Sequence, residues 1–171
     1  MNESDFNNGL LEFLAGSPTP FHAVKQLKQL LTAEGFEQLA EHSSWSLKPG
    51  GRYFVVRNGS SIVAIRTGSV HPADEGLRLI GTHTDSPCLK IKPAPEIRRQ
   101  GFLQLGVEIY GGVLLSPWFD RDLSLAGKVT CRMENKEINS VLIDFRRPVA
   151  TVPSLAIHLN RDVHKNRTIN P

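Results

Sequence analysis

The dipeptide Asn58-Gly59 lies between two apolar runs, Tyr53-Phe54-Val55-Val56 and Ile62-Val63-Ala64-Ile65, and this arrangement restricts the fold more than any other stretch. Both central residues of a tight two-residue hairpin turn take positive φ, a demand that asparagine and glycine meet at low steric cost. An antiparallel hairpin is expected here. Just upstream, Pro49-Gly50-Gly51 marks another turn, with short strands expected over residues 36–39 and 45–47.

Before the hairpin the apolar spacing is helical. Phe6, Leu10, Phe13 and Leu14 follow the helical period behind Ser4 or Asp5 as a cap, and Gly16 stands near the end. Ser17-Pro18-Thr19-Pro20 then breaks the chain. A second helix is expected to start with Thr19 as its cap and Pro20 in first position, where the missing N–H costs little. It should bury Phe21, Val24, Leu27, Leu30 and Leu31 before Gly35 ends it. The pair reads as a helical hairpin. His22, in the first turn of the second helix, reads as a surface residue rather than part of a site.

After a loop over residues 68–76, Leu77, Leu79 and Ile80 suit a buried strand over residues 77–81. Ser86-Pro87 would stop its ladder, because proline has no donor and restrains the residue before it. The strand runs straight into Thr82-His83-Thr84-Asp85. Side chains two apart on extended chain point to one side, so the Asp85 carboxylate is placed to orient or polarise the His83 imidazole beside a bound metal. A His-x-Asp triplet alone equally describes a surface turn. Its position at the end of a buried strand, where open α/β sheets place ligands, favours the metal site. Helices first and a mixed sheet next, with a ligand at a strand end, read as an α/β three-layer peptidase-like domain.

A chain of 171 residues with 40% hydrophobic content can bury a real core. The balance of 20 Lys and Arg against 17 Asp and Glu leaves only +3, and the pairs Arg98-Arg99 and Arg146-Arg147 are far apart. Arg161, Lys165 and Arg167 read as a solvated face, and no basic-aromatic motif supports a nucleic-acid partner. No run of about 18 apolar residues is present, and the polar start Met1-Asn2-Glu3-Ser4-Asp5 lacks the layout of a signal peptide. A cytoplasmic protein without membrane association is therefore expected. Cys88 and Cys131 form no Cys-x-x-Cys pair, which argues against a structural zinc knot or a disulfide scaffold. Both are expected to be reduced, with Cys131 in a core.

After Pro93-Ala94-Pro95 the character turns to β, over residues 102–110, 127–133 and 137–145, with a turn at Asn135-Lys136. Two domains are expected, 1–92 and 93–171. The second reaches Ile169-Asn170-Pro171 without a closing strand or helix, as though cut short.

Several separate blocks together resemble the N-terminal part of the aspartyl aminopeptidase family of zinc metallopeptidases. They are Phe13-Leu14 with Ser17-Pro18-Thr19-Pro20-Phe21-His22-Ala23-Val24, Pro49-Gly50-Gly51 with Tyr53-Phe54, Arg57-Asn58-Gly59-Ser60-Ser61, residues 81–87, Tyr110-Gly111-Gly112, Trp118-Phe119-Asp120-Arg121-Asp122-Leu123, and His158-Leu159-Asn160-Arg161. The resemblance covers nearly the whole chain. It implies that His83 is a zinc ligand and Asp85 the catalytic acidic residue beside the metal. It further implies that an inserted β-rich domain for homo-oligomerisation follows, and that His158 reaches an active site as a metal ligand or as a substrate contact across a subunit interface. The implied substrates are peptides with an N-terminal Asp or Glu, and the implied cofactor is zinc, two ions in the complete enzyme.

A two-zinc site also needs a bridging carboxylate, further ligands and a general base. The resemblance places these in a C-terminal half, so this chain alone is expected to be inactive. The acid pair Asp120 and Asp122 around Arg121 reads as a structural turn rather than a catalytic pair. A second reading from another class is a noncatalytic binding or assembly module that keeps the β-rich interface.

Overall fold

A computed structural model describes residues 2–162. In chain order the elements are α1 (Glu3–Ala15), α2 (Pro20–Ala33), β1 (Glu37–Gln38), β2 (Arg52–Arg57), β3 (Ser61–Arg66), α3 (Pro72–Glu75), β4 (Cys88–Arg99), β5 (Phe102–Tyr110), a 3-10 turn (Ser116–Trp118), β6 (Ala126–Arg132) and β7 (Ile138–Asp144). They form two compact units. Among the described residues, 2–85 with 126–144 make one; 86–125 with 145–162 make the other.

In the first unit, α1 is capped by Asn2 rather than by Ser4 or Asp5. The Asn2 side chain accepts from the Asp5 N–H at 2.8 Å and the Asp5 carboxylate accepts from the Asn2 N–H, so Asp5 serves as the return arm of a capping box. For α2 the cap is Thr19, with Pro20 behind it, and Gly35 at φ +78° lies just past the helix end. His22, Ala23 and Val24 are buried, whereas Leu30 is exposed. Thr19→Ala is expected to destabilise the fold by about 1–2 kcal/mol, since it removes a cap and a partner of a buried imidazole. Urea unfolding would measure the loss.

The sheet is mixed: β1 runs parallel to β2, and β2 antiparallel to β3. As the central strand, β2 carries Tyr53, Phe54 and Val55, all buried, with Phe54 at 0% exposure. A strand covered on both faces is expected to show such a continuous apolar run rather than an alternating one. Residues 45–47 form no strand; the Trp45 indole N–H instead donates to the Ala40 carbonyl at 2.8 Å. At the preceding turn, Gly50 has φ +71°, and the Tyr53 ring lies so close over Gly51 that a Cβ there would strike it.

The β2–β3 loop differs from the expected two-residue turn. Asn58 and Gly59 do take positive φ, +55° and +68°, and the Ser60 N–H closes the turn on the Arg57 carbonyl at 3.2 Å. Yet the ladder pairs Arg57 with Ser61, which leaves Ser60 as a third loop residue outside it. The β6–β7 hairpin belongs to this unit, and Lys128 Nζ lies 4.3 Å from the centroid of the Phe21 ring. Cys131, on β6, is exposed and not part of a core.

Residues 77–81 form no strand, contrary to expectation, and Leu79 and Ile80 are 87% and 99% exposed. Apolar content favours a strand only where a neighbouring strand can pair with its backbone, and no described strand lies in register beside this segment.

In the second unit, β4 and β5 form an antiparallel ribbon from Cys88↔Tyr110 to Arg99↔Phe102. Pro93-Ala94-Pro95 do not interrupt β4. They fall in an irregularity between Ile91 and Glu96, where a missing N–H costs no ladder bond. The ribbon closes through Gln100 and Gly101, at φ +52° and +80°, a tight turn without the usual asparagine. Among the described residues, no helix is long and apolar enough to cross a membrane.

Candidate metal centre

The chain leaves the short helix α3 at Gly76, with φ +78°, and reaches His83 without joining a ladder. His83 Nδ1 lies 2.9 Å from the Asp85 carbonyl oxygen and 3.1 Å from Asp85 Oδ1. The carbonyl oxygen can only accept, so Nδ1 carries the proton and donates, and in the neutral ring the lone pair sits on Nε2. The His83 side chain is 79% exposed. Asp85 therefore fixes the tautomer and the ring, as the outer partner of a metal-bound histidine does. The i, i+2 relation read from the sequence holds even though the segment is not a strand. Between the two, the Thr84 hydroxyl donates to the Ser60 carbonyl at 2.8 Å.

A neutral imidazole anchored in this way has the chemistry of one zinc ligand. It is one ligand only. Among the described residues, no group of three or more His, Cys, Asp or Glu side chains is placed to hold a metal ion. A zinc site uses at least three protein ligands, so the rest of any centre at His83 must be supplied from beyond this pair. His158 lies in the second unit, exposed, in a turn at residues 157–159 where the Leu159 N–H donates to the Ala156 carbonyl at 2.8 Å. The structure brings His83 and Asp85 together in the first unit, and His158 is an exposed residue of the second.

His22 is not a surface residue. It is 8% exposed, and its Nδ1 lies 2.7 Å from the hydroxyl of Thr19, three residues back at the cap. The signal was present in the Thr-x-x-His spacing, because the residue three beyond a cap folds back over it.

The residues 118–122 make structural contacts to the backbone of neighbouring loops. Asp120, at φ +54°, donates its N–H to the Val152 carbonyl at 2.9 Å, and its Oδ1 accepts from the Ser154 N–H at 2.8 Å. The Leu123 N–H donates to Ala150 at 2.9 Å, while the Arg121 guanidinium reaches the Pro117 carbonyl at 3.5 Å. Asp120 thus ties two separate loops of the second unit to each other.

Residues 13–171 match the family model described as aminopeptidase I zinc metalloprotease, M18. Among curated proteins, a probable M18 family aminopeptidase 2 of Pseudomonas entomophila is 60% identical over 165 residues, covering 96% of this chain and 38% of that protein. The namesake from Pseudomonas fluorescens is 57% identical over 164 residues, again 96% of this chain and 38% of the relative. Among solved structures, Ape4 in its complex with Nbr1 superposes with a TM-score of 0.84 at 41% identity, covering 94% of this chain and 31% of that one. The mApe1 dodecamer of S. cerevisiae gives 0.82 at 32% identity, over 92% of this chain and 37% of that one. The chain therefore spans well under half the length of the relatives it matches. With a family match over nearly its whole length and the anchored histidine lying within it, this chain belongs to the M18 family of aminopeptidase I zinc metalloproteases.

Proposed function

We propose that this chain is the N-terminal portion of a zinc aminopeptidase that removes acidic residues, Asp or Glu, from the N-termini of peptides, and that it is inactive alone. The observation that carries the metal role is the His83–Asp85 pair: Nδ1 held by two acceptors of one residue, with the ring exposed. When bound, zinc, as two ions in the complete enzyme, supplies Lewis acidity towards the scissile carbonyl and the attacking water. His83 holds one ligand position through Nε2. Asp85 acts at the catalytic centre by holding the His83 Nδ1 proton and adding negative charge beside the metal. His158 serves the same centre, as a ligand or as a substrate contact across a subunit interface.

Support for the fragment's inactivity comes from His83 having no group of three or more potential ligands around it among the described residues, and from residues 77–81, whose apolar side chains are exposed directly before His83. Such a segment is suited to become a buried strand once other strands flank it. By role, residues 1–92 are assigned to the catalytic domain and 93–171 to the start of an inserted β-rich oligomerisation domain, a division that falls within β4. Homo-oligomerisation is supported by the dodecamer named among the structural relatives. The preference for acidic residues rests on the resemblance of the matching blocks.

The test is turnover of a peptide with an N-terminal aspartate. The purified 171-residue chain should show none, whereas the same chain combined with the C-terminal remainder of the Pseudomonas entomophila relative should gain zinc and activity, both lost to a chelator. Turnover by the lone chain would refute the fragment reading. A lone chain that folds without metal, together with a mixture that gains nothing, would favour the noncatalytic assembly module.

A further inference from the structure

We infer that Thr84 is the positioning residue of the His83–Asp85 pair, and that the third residue of the β2–β3 loop is the anchor it uses. This rests on the reading of His83 as a metal ligand only for its catalytic consequence. The geometric claim stands on its own.

Residues 77–82 join no ladder, so backbone pairing does not fix the direction in which His83 leaves the chain. On extended chain, Thr84 projects opposite to His83 and Asp85. Its hydroxyl donates to the Ser60 carbonyl at 2.8 Å, across 24 residues of sequence, in a part-buried setting. Pinning the middle residue of a triplet on one side sets where its two neighbours point on the other.

The anchor is itself well fixed. A two-residue loop would bring Ser60 opposite Arg57 at the end of the ladder. With pairing from Arg57 to Ser61 instead, Ser60 stands outside it, and its carbonyl is the group that Thr84 reaches. Behind the loop, the Cβ position at Gly59 lies 3.9 Å from Phe21 Cδ1, and Phe21 follows Pro20 in the first turn of α2. The strand β2 that leads into this loop carries the fully buried Phe54 at its middle. Three sequence blocks that the catalytic reading leaves without a shared role, around Phe21, around Gly59 and around His83, are thereby joined in one line of contact. A site residue held from a packed hairpin keeps its geometry better than one on an unsupported loop.

The test compares Thr84→Val, which keeps the shape and removes the hydroxyl, with Thr84→Ser, which keeps the hydroxyl. In the 171-residue chain, three-bond NMR couplings should show a single χ1 rotamer for His83 in the wild type and in Thr84→Ser, and an averaged one in Thr84→Val, with the amide shifts of β2 and β3 unchanged. If Thr84→Val loses the sheet's spectrum, Thr84→Ala replaces it in the comparison. A His83 rotamer that stays fixed without the hydroxyl overturns the inference, and so does averaging in Thr84→Ser. Zinc added to the wild-type chain combined with the C-terminal remainder should shift the Nε2 resonance of His83. Rotamer loss in Thr84→Val with no such shift upholds the positioning role and refutes the ligand reading instead. In the complemented enzyme, Thr84→Val should lower kcat about tenfold or more at a near-constant KM, within the range found for groups that orient metal ligands, and Thr84→Ser should restore it.

Discussion

His83→Ala is expected to abolish aminopeptidase turnover in the chain complemented with its C-terminal remainder, and to lower the zinc retained after dialysis. The loss should exceed the roughly 100-fold upper end seen when only an outer partner of a metal ligand is removed, because alanine deletes the donor atom itself. Asp85→Asn provides the internal scale. The amide oxygen and the unchanged backbone carbonyl still accept from Nδ1, so the ring keeps its tautomer while the negative charge is lost. A fall of about 10- to 100-fold is expected, smaller than that for His83→Ala. Equal losses would mean that Asp85 does more than orient the ring. Wild-type activity in His83→Ala would remove this histidine from the metal centre altogether. His83→Ala should unfold at the wild-type urea concentration, since the His83 side chain is 79% exposed.

Phe54→Ala is expected to have the largest effect on stability. Its side chain is fully buried in the central strand, opposite Ala64 on β3 and Gln38 on β1, and its carbonyl accepts from the Leu39 N–H at 2.8 Å. Truncating a buried phenylalanine costs about 3–5 kcal/mol in transfer and cavity terms. Against the roughly 5–15 kcal/mol that holds a typical domain folded, that removes a large share of the margin. Collapse would be difficult here, because the neighbours Tyr53 and Val55 are buried as well and belong to the same strand. Urea unfolding followed by tryptophan fluorescence would report it, and a midpoint within error of the wild type would show that the sheet is not the stabilising core of the first unit.

What could be read from the sequence followed from how local its causes are. Thr19 and Pro20 start α2 through groups within one turn, and Asn58-Gly59 dictates positive φ by its own sterics, so both could be placed from a few residues. The His83–Asp85 contact belongs to the same class, since two residues of extended chain suffice to bring the carboxylate beside the ring. Loop length was less legible: Asn58-Gly59 announces the turn, but whether Ser60 joins the ladder depends on the register of two strands. The strand β4 was hidden because Pro93 and Pro95 read as a break, and only pairing with β5 shows them absorbed in an irregularity. Leu77, Leu79 and Ile80 failed for the opposite reason. Their apolar pattern is that of a buried strand, but burial depends on what lies alongside, which no local pattern supplies. His22 was misjudged because the Thr19-x-x-His22 spacing, which folds the imidazole back over the cap, was passed over, and because the burial that goes with it comes from the packing of α2.

The exposed run before His83 also bears on how such a chain behaves in quantity. Between Gly76 and Asp85 the only fully charged side chain is that of Arg78, in a segment rich in residues that favour extended backbone. No described strand pairs with its backbone, and N–H and C=O groups open in this way accept an extended chain that arrives, a neighbouring copy included. Aggregation and productive completion of the sheet then compete for the same hydrogen bonds, and the outcome is set by protein concentration and by the time the edge stays open.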